Sequence, residues 1–187
     1  MPVDPSNLRL RFYPDPVLRQ KAAPVGEVTE EVRKVAAEMV EIMKEEDGIG
    51  LAGPQVGVPW RIFVADVPEG QKRSASAEPP TATKGPRVYI NPVLSKPEGA
   101  PEPYEEGCLS LPDIRGDVLR PPTITITYTD LEGKQATETA AGLLARCWQH
   151  ETDHLDGVLI IDKMTQIFRM KNKSAIRDLE RGYENEL

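Results

Sequence analysis

The chain is poor in the residues that most often advertise a function. Its 187 residues include two histidines, two cysteines, three phenylalanines and two tryptophans. Two cysteines do not build a disulfide framework, so neither is expected to have a disulfide partner. The opening Met1-Pro2-Val3-Asp4-Pro5-Ser6-Asn7 has no apolar secretory core, and no stretch approaches membrane-spanning length. The chain is therefore expected to work in the cytoplasm, away from membranes. Bases are the minority, 23 against 30 acids for a net charge of -7, which argues against a general nucleic-acid binder. No repeat or second composition is visible, and the length suits one domain over residues 1–187 with a sizeable core.

Against that background, both histidines fall within Gln149 to Gly157, read QHETDHLDG. On a helix, positions i and i+4 lie on one face, so His150 and His154 can aim their rings at a shared point. Glu151 is turned about 100° around the axis, beside that point, where a carboxylate can take a proton from an activated water. This is the HExxH pattern of a metal clamp. The plain alternative is a charged helix face that carries two histidines by chance. Against it, the preceding Leu143-Leu144-Ala145-Arg146-Cys147-Trp148 is apolar enough to be buried, and a buried helix does not hold two histidines and two acids without partners.

A catalytic ion usually takes three protein ligands and an open position. Cys147 shares the face of His150 but lies about 10 Å along the axis from His154, too far to converge with it on one ion. The other cysteine is Cys108, preceded by a glycine that permits close backbone approach. Its plain reading is a small buried apolar residue.

Three stretches together resemble the signature motifs of the peptide deformylases: Gly48-Ile49-Gly50-Leu51-Ala52-Gly53-Pro54-Gln55, then Glu106-Gly107-Cys108-Leu109-Ser110, then QHETDHLDG, in the family's order. The similarity runs from Tyr13-Pro14-Asp15-Pro16-Val17-Leu18 to the helix after QHETDHLDG. Gly53 stands where the family commonly has alanine, and losing that methyl is expected to loosen the turn slightly.

The resemblance implies removal of the formyl group from N-terminal formylmethionine of nascent peptides, with formate released. It implies Cys108, His150 and His154 as metal ligands and ferrous iron as the ion, with zinc, nickel or cobalt able to replace it in purified protein. It makes Glu151 the proton carrier, and the Gln55 amide and Leu109 N–H donors to the formyl oxygen. Gly50, Tyr104, Leu143, Arg146, Cys147 and Arg115 are the implied peptide contacts. Arg146 stands where an apolar residue is common; its stem is expected to line the wall while its charge reaches solvent. Glu106 and Asp153 are expected to support the ligands from behind. Two other classes share parts of the pattern: an HExxH aminopeptidase or endopeptidase, and a non-catalytic metal-stabilised binding module. Cys108 and Gln55 argue against the first, and Glu151 with an open coordination position argues against the second.

The expected fold is α+β, with antiparallel sheets packed around a central metal-binding helix and a C-terminal helix. A capped helix is predicted from Thr29 to Glu46, with Val32, Val35, Ala36, Met39, Val40 and Met43 as its apolar stripe. Strands are predicted at Trp60 to Val67 and Arg87 to Leu94, separated by a mobile surface insertion from Pro68 to Pro86. A hairpin joins Pro122 to Thr129 with Lys134 to Thr139. The metal helix covers Ala141 to Asp156 and ends at Gly157, followed by a short strand at Val158 to Ile161. The last helix is predicted at Thr165 to Tyr183. From Lys163 to Leu187 six bases face four acids, and the resemblance implies that such a helix can dock on the ribosome.

Overall fold

The computed structural model describes residues 3–184. Helix α1 (Glu30–Glu45) forms where the sequence predicts it: the Thr29 hydroxyl accepts from Val32 N, Glu30 and Glu31 occupy the positive end, and Lys44 lies in the last turn. Its buried stripe is Val32, Val35, Ala36, Met39, Ile42 and Met43. Ile42 takes the place expected for Val40, which sits at the edge of the same cluster.

The main sheet is antiparallel in the order β1-β2-β3-β6-β7: β1 (Gly50–Ala52), β2 (Ile62–Ala65), β3 (Arg87–Glu98), β6 (Thr123–Thr129) and β7 (Gln135–Ala141). All of β2 is buried because both sheet faces are covered. Ile62 and Val64 pack towards α1, whereas Phe63 and Ala65 pack towards α2 (Gly142–Leu155). On β6, Ile124, Ile126 and Tyr128 join the α2 side. The alternate threonines bond across the strands, Thr125 to Thr139 and Thr127 to Thr137. Between sheet and helix, Phe63, Tyr89, Tyr128 and Trp148 form a chain of ring contacts with centroids 4.6 to 5.7 Å apart. Helix α2 is thus central and buried nearly all round, as its sequence requires.

That helix stops as predicted. Gly157 (φ 74°) sends its N–H to His154 O while Val158 N reaches Asp153 O, the paired bonds of a Schellman cap. The Arg19 carbonyl packs so close to Gly157 that a side chain would not fit.

Two strands that the sequence does not advertise, β4 (Glu102–Cys108) and β5 (Leu111–Arg120), form a separate hairpin. It packs mainly against three short helices: α3 (Ile160–Lys163), α4 (Gln166–Lys171) and α5 (Lys173–Glu184). Leu111, Ile114 and Val118 from the hairpin meet Leu159, Ile160, Ile161 and Met164 in a third core.

Three expectations are corrected. Val158 to Ile161 is not a strand. Leu159 is extended, but Asp162 accepts from its N–H and starts α3, a cap that outweighs the β-branched run. The last helix is divided at Asn172, whose amide donates to Arg115 O and Phe168 O. The Pro68 to Pro86 segment has more to bury than its composition suggests: Ala82 and Thr83 are buried, Thr83 bonds Val67 at both N and O, and Pro80 O accepts from Ala141 N. Among the described residues no helix is long and apolar enough to cross a membrane.

Candidate metal centre

Helix α2 carries His150 and His154 on one face, and β4 delivers Cys108 to them at the hairpin's turn end. A register shift between Gly107 and Cys108 turns the cysteine inward, and its pairing with Leu111 leaves Leu109 and Ser110 as the turn. Among the described residues the Cys108, His150 and His154 ligand atoms form a cluster within 4.8 Å of one another. The Cys108 Sγ to His154 Nε2 distance is 3.3 Å, and the two Nε2 atoms are 3.2 Å apart. Bonds of about 2.0 Å to nitrogen and 2.3 Å to sulfur give tetrahedral edges of roughly 3.3 to 3.6 Å, so the three donors are spaced to share one ion. The tautomer agrees: His150 Nδ1 faces Glu106 Oε2 at 3.0 Å, so its proton sits there and Nε2 keeps a lone pair.

Glu106 is buried at the centre of a charged cluster. Its Oε1 accepts from Arg120 Nε (2.6 Å) and Arg146 (2.9 Å), and its Oε2 accepts from Arg120 (3.0 Å) and His150. Burial alone would raise its pKa, but the His150 and Arg120 bonds prevail and hold it well below the usual carboxylate range. Arg120 also donates to Asp153 (2.7 Å), which Lys163 contacts from outside. Glu151 has the opposite fate. Buried without a fixed cationic partner, it is pushed up to about 7, with burial the largest cause.

Gln55 lies in the 3-10 turn Gly53–Val56. Its Oε1 accepts from Ala52 N (2.9 Å), which fixes the amide and turns Nε2 towards Ser110 Oγ (3.2 Å) and Cys108 Sγ (3.6 Å). Gly53 does not loosen this turn: a methyl there would meet the Val58 and Trp60 carbonyl oxygens at 2.9 Å, so the chain has closed onto the glycine. Gly50 has a comparable reason, because a side chain on it would strike the Glu151 carboxylate and Cys147 Sγ.

A cleft of about 610 Å³ opens over the cluster, and Gly50, Tyr104, Arg115, Leu143, Arg146 and Cys147 all line it. Cys147 Sγ donates to Ile49 O at 3.5 Å and is not among the clustered ligand atoms, and burial raises its thiol well above the ordinary value. Arg146 departs from expectation. Its charge is turned inward, held by Glu106 and by the Val118 and Glu102 carbonyls at 2.9 Å each. Sequence reasoning misses Arg120, because no local spacing links residue 120 to 106 and 153; Ser110 belongs to the Glu106–Ser110 motif, but its bond to Gln55 is visible only in the fold.

Residues 8–170 match the family model described as polypeptide deformylase. A peptide deformylase of Rhizobium meliloti is 46% identical over 161 residues, 86% of each chain. Peptide deformylase 2 of Gloeobacter violaceus is 45% identical over 178 residues, 94% of this chain and 87% of that one. A crystal structure of peptide deformylase from Plasmodium falciparum superposes with a TM-score of 0.84 at 34% identity, covering 95% of this chain and 98% of that one. With the model matching most of its length and relatives well above 30% identity, the chain belongs to the polypeptide deformylase family.

Proposed function

We propose that Cys108, His150 and His154 hold the catalytic ion of a peptide deformylase, with Glu151, Gln55 and Leu109 acting on the formyl group. The chain is a metal-dependent hydrolase of that family, which removes the formyl group from N-terminal formylmethionine and releases formate. The observation that carries the site assignment is the convergence of a cysteine sulfur and two histidine nitrogens with the Gln55 amide beside them. An ion held there supplies Lewis acidity, lowering the pKa of water and polarising the formyl carbonyl. Glu151 takes the proton of the attacking water and returns it to the leaving amine; burial puts its pKa where both transfers are accessible near neutrality. Gln55 Nε2 and the Leu109 N–H donate to the oxygen that gains charge, each worth about 3 kcal/mol by analogy with other oxyanion donors. Gly50 leaves room for the peptide backbone, and the cleft past Tyr104, Leu143 and Cys147 takes the methionine side chain.

Ferrous iron is the physiological ion in this reading; the mixed thiolate and imidazole set also accepts zinc, nickel or cobalt. The chain acts in the cytoplasm on nascent peptides. Exposed Arg169, Lys171, Lys173 and Arg177 suit a ribosomal phosphate surface. Changing Lys171, Lys173 and Arg177 to glutamate would abolish low-salt co-sedimentation with ribosomes if docking uses this face. The function is tested by purification without oxygen, metal analysis, and formate release from formyl-Met-Ala-Ser. A free-amine Met-Ala-Ser peptide is the control. Cleavage of the free-amine peptide without formate release from the formylated one would favour the aminopeptidase class instead.

A further inference from the structure

The candidate ligands come from two elements, a helix and a hairpin, whose backbones pack against different neighbours. His150 and His154 ride on α2, which is packed into the main sheet. Cys108 rides on the β4–β5 hairpin, whose backbone packs mainly against α3, α4 and α5 rather than against α2. An isolated two-stranded hairpin is marginal on its own, so its seating relative to α2 has to be set by cross-connections. At the turn, Gln55 bonds Ser110 and Cys108, and Tyr13 N bonds Ser110 O. Between α2 and the strands themselves, apart from the Cys108 to His154 contact, the links are His150 to Glu106, Arg120 to Asp153, and Arg146. The first is itself a candidate ligand, and the second starts from the hairpin. Arg146 starts from α2, one turn before His150, and reaches both strands at once. It donates to Glu106 Oε1 and Glu102 O on β4 and to Val118 O on β5. Its guanidinium also lies over the Tyr104 ring, 5.3 Å from the centroid. A planar fork serves several acceptors in fixed directions, which an ammonium cannot do.

We propose that Arg146 is a positioning residue: it holds the Cys108 hairpin at its working distance from the histidine helix and thereby sets the affinity of the metal site. The inference rests on the reading of Cys108, His150 and His154 as the ligands. Removing Arg146 leaves those three residues intact. What is lost is the preset spacing between sulfur and nitrogens, so the ion must close the gap itself at the expense of binding. Arg120 still holds Glu106, so His150 keeps its partner and the site is weakened rather than abolished. Because Tyr104 lines the cleft on the outer face of the same guanidinium, KM for a formyl-Met peptide should rise as well.

The test uses cobalt as the probe and does not depend on turnover. The absorption of a thiolate-to-cobalt bond reports Cys108 directly, and chelator competition converts it to an affinity. Arg146→Met is expected to bind cobalt at least tenfold more weakly than the parent chain, in the range typical for loss of a residue supporting a metal ligand. Arg146→Lys should fall between the two. Arg87→Met, which removes a clamp on Glu138 at the far edge of the sheet, should bind as the parent does. Wild-type cobalt affinity in Arg146→Met with only KM raised would reduce Arg146 to a cleft wall and overturn the proposal. An equal loss in Arg87→Met would show general destabilisation and overturn it too. If circular dichroism shows that Arg146→Met does not fold, Arg146→Lys decides, and wild-type affinity there refutes the proposal. A parent chain that binds cobalt without the thiolate band would instead refute the ligand assignment on which the inference stands.

Discussion

Gly50→Ala tests the proposed proton carrier, Glu151, apart from the proposed ligands. Gly50 is fixed by its pairing with Ala65 in the sheet, and a methyl at its Cα would stand 2.8 Å from both the Glu151 carboxyl carbon and Cys147 Sγ. It would be closer still to Glu151 Oε1. Carbon contacts relax near 3.5 Å, so the carboxyl group must retreat by roughly 0.7 Å or the strand must move. Overpacking of this kind costs about 1 to 3 kcal/mol of stability. The catalytic cost is the sharper one: a displacement approaching 1 Å in a reacting group can cost ~100-fold in rate. The assay is formate release from a formyl-Met peptide at known metal occupancy, with urea unfolding run in parallel. Metal content should stay stoichiometric, because the atoms nearest the added methyl belong to Glu151 and Cys147 rather than to a proposed ligand, while kcat falls by about two orders of magnitude. Adding Cys147→Ala removes the sulfur contact and should recover part of the stability but not the turnover. A Gly50→Ala protein with parental kcat would refute the placement of Glu151 at the reacting atoms.

Glu151→Gln should retain the ion and lose several orders of magnitude in turnover, since both proton transfers fail; metal loss in that protein would make Glu151 a ligand. Cys108→Ala should lose metal and activity together, whereas Cys147→Ala should keep the metal and cost on the order of 1 kcal/mol in packing; mass spectrometry after aerobic inactivation of the iron form should find oxidation on the Cys108 peptide. The Arg87–Glu138 pair gives a pH signature away from the metal. Burial raises the Glu138 carboxyl but the Arg87 bonds prevail and lower it, so its stabilisation is present above the unfolded value near 4.5 and is lost as pH falls through the folded one. Glu138→Gln should flatten the fall of the urea midpoint below pH ~4.5, by less than about 1 kcal/mol because the pair is partly exposed. An unchanged slope would remove Glu138 from the acid response.

What could be read from sequence followed from local periodicity and caps. Helix α1 has a hydroxyl cap, acids in its first turn and an apolar stripe; α2 has an apolar run closed by a glycine in the left-handed region. Those are properties of neighbours in the chain. In the β4–β5 hairpin, β4 has no comparable pattern because Glu102, Pro103, Tyr104 and Glu105 are all exposed, and the alternation of β5 is masked because Gly116 and Arg120 fill inward places beside Ile114 and Val118. The hairpin's partners are tertiary: α3 to α5, and charged side chains that reach it from α2. For the same reason the i, i+4 histidines with Glu151 between them were legible, while Cys108 needed the family resemblance. Arg146 is visible in the sequence as a cation on an apolar helix face, but its acceptors lie 28 and 44 residues away, on Val118 and Glu102.

The division of labour between the two buried glutamates follows from where the arginines go. Arg120 and Arg146 both spend their charge on Glu106, and Arg120 extends to Asp153. Glu106 therefore stays ionised and serves as a fixed acceptor for the His150 Nδ1 proton, keeping Nε2 free. No arginine is left for Glu151, so burial dominates and its proton becomes exchangeable near neutral pH. A bound cation would pull that value down again, biasing Glu151 towards the base form when substrate and water arrive. Two buried carboxylates beside the same cluster, one on β4 and one on α2, thus acquire opposite protonation behaviour from their surroundings, a pattern expected wherever one acid orients a site and another carries a proton. Had either arginine reached Glu151, the site would hold a fixed anion where the proposed mechanism needs a movable proton.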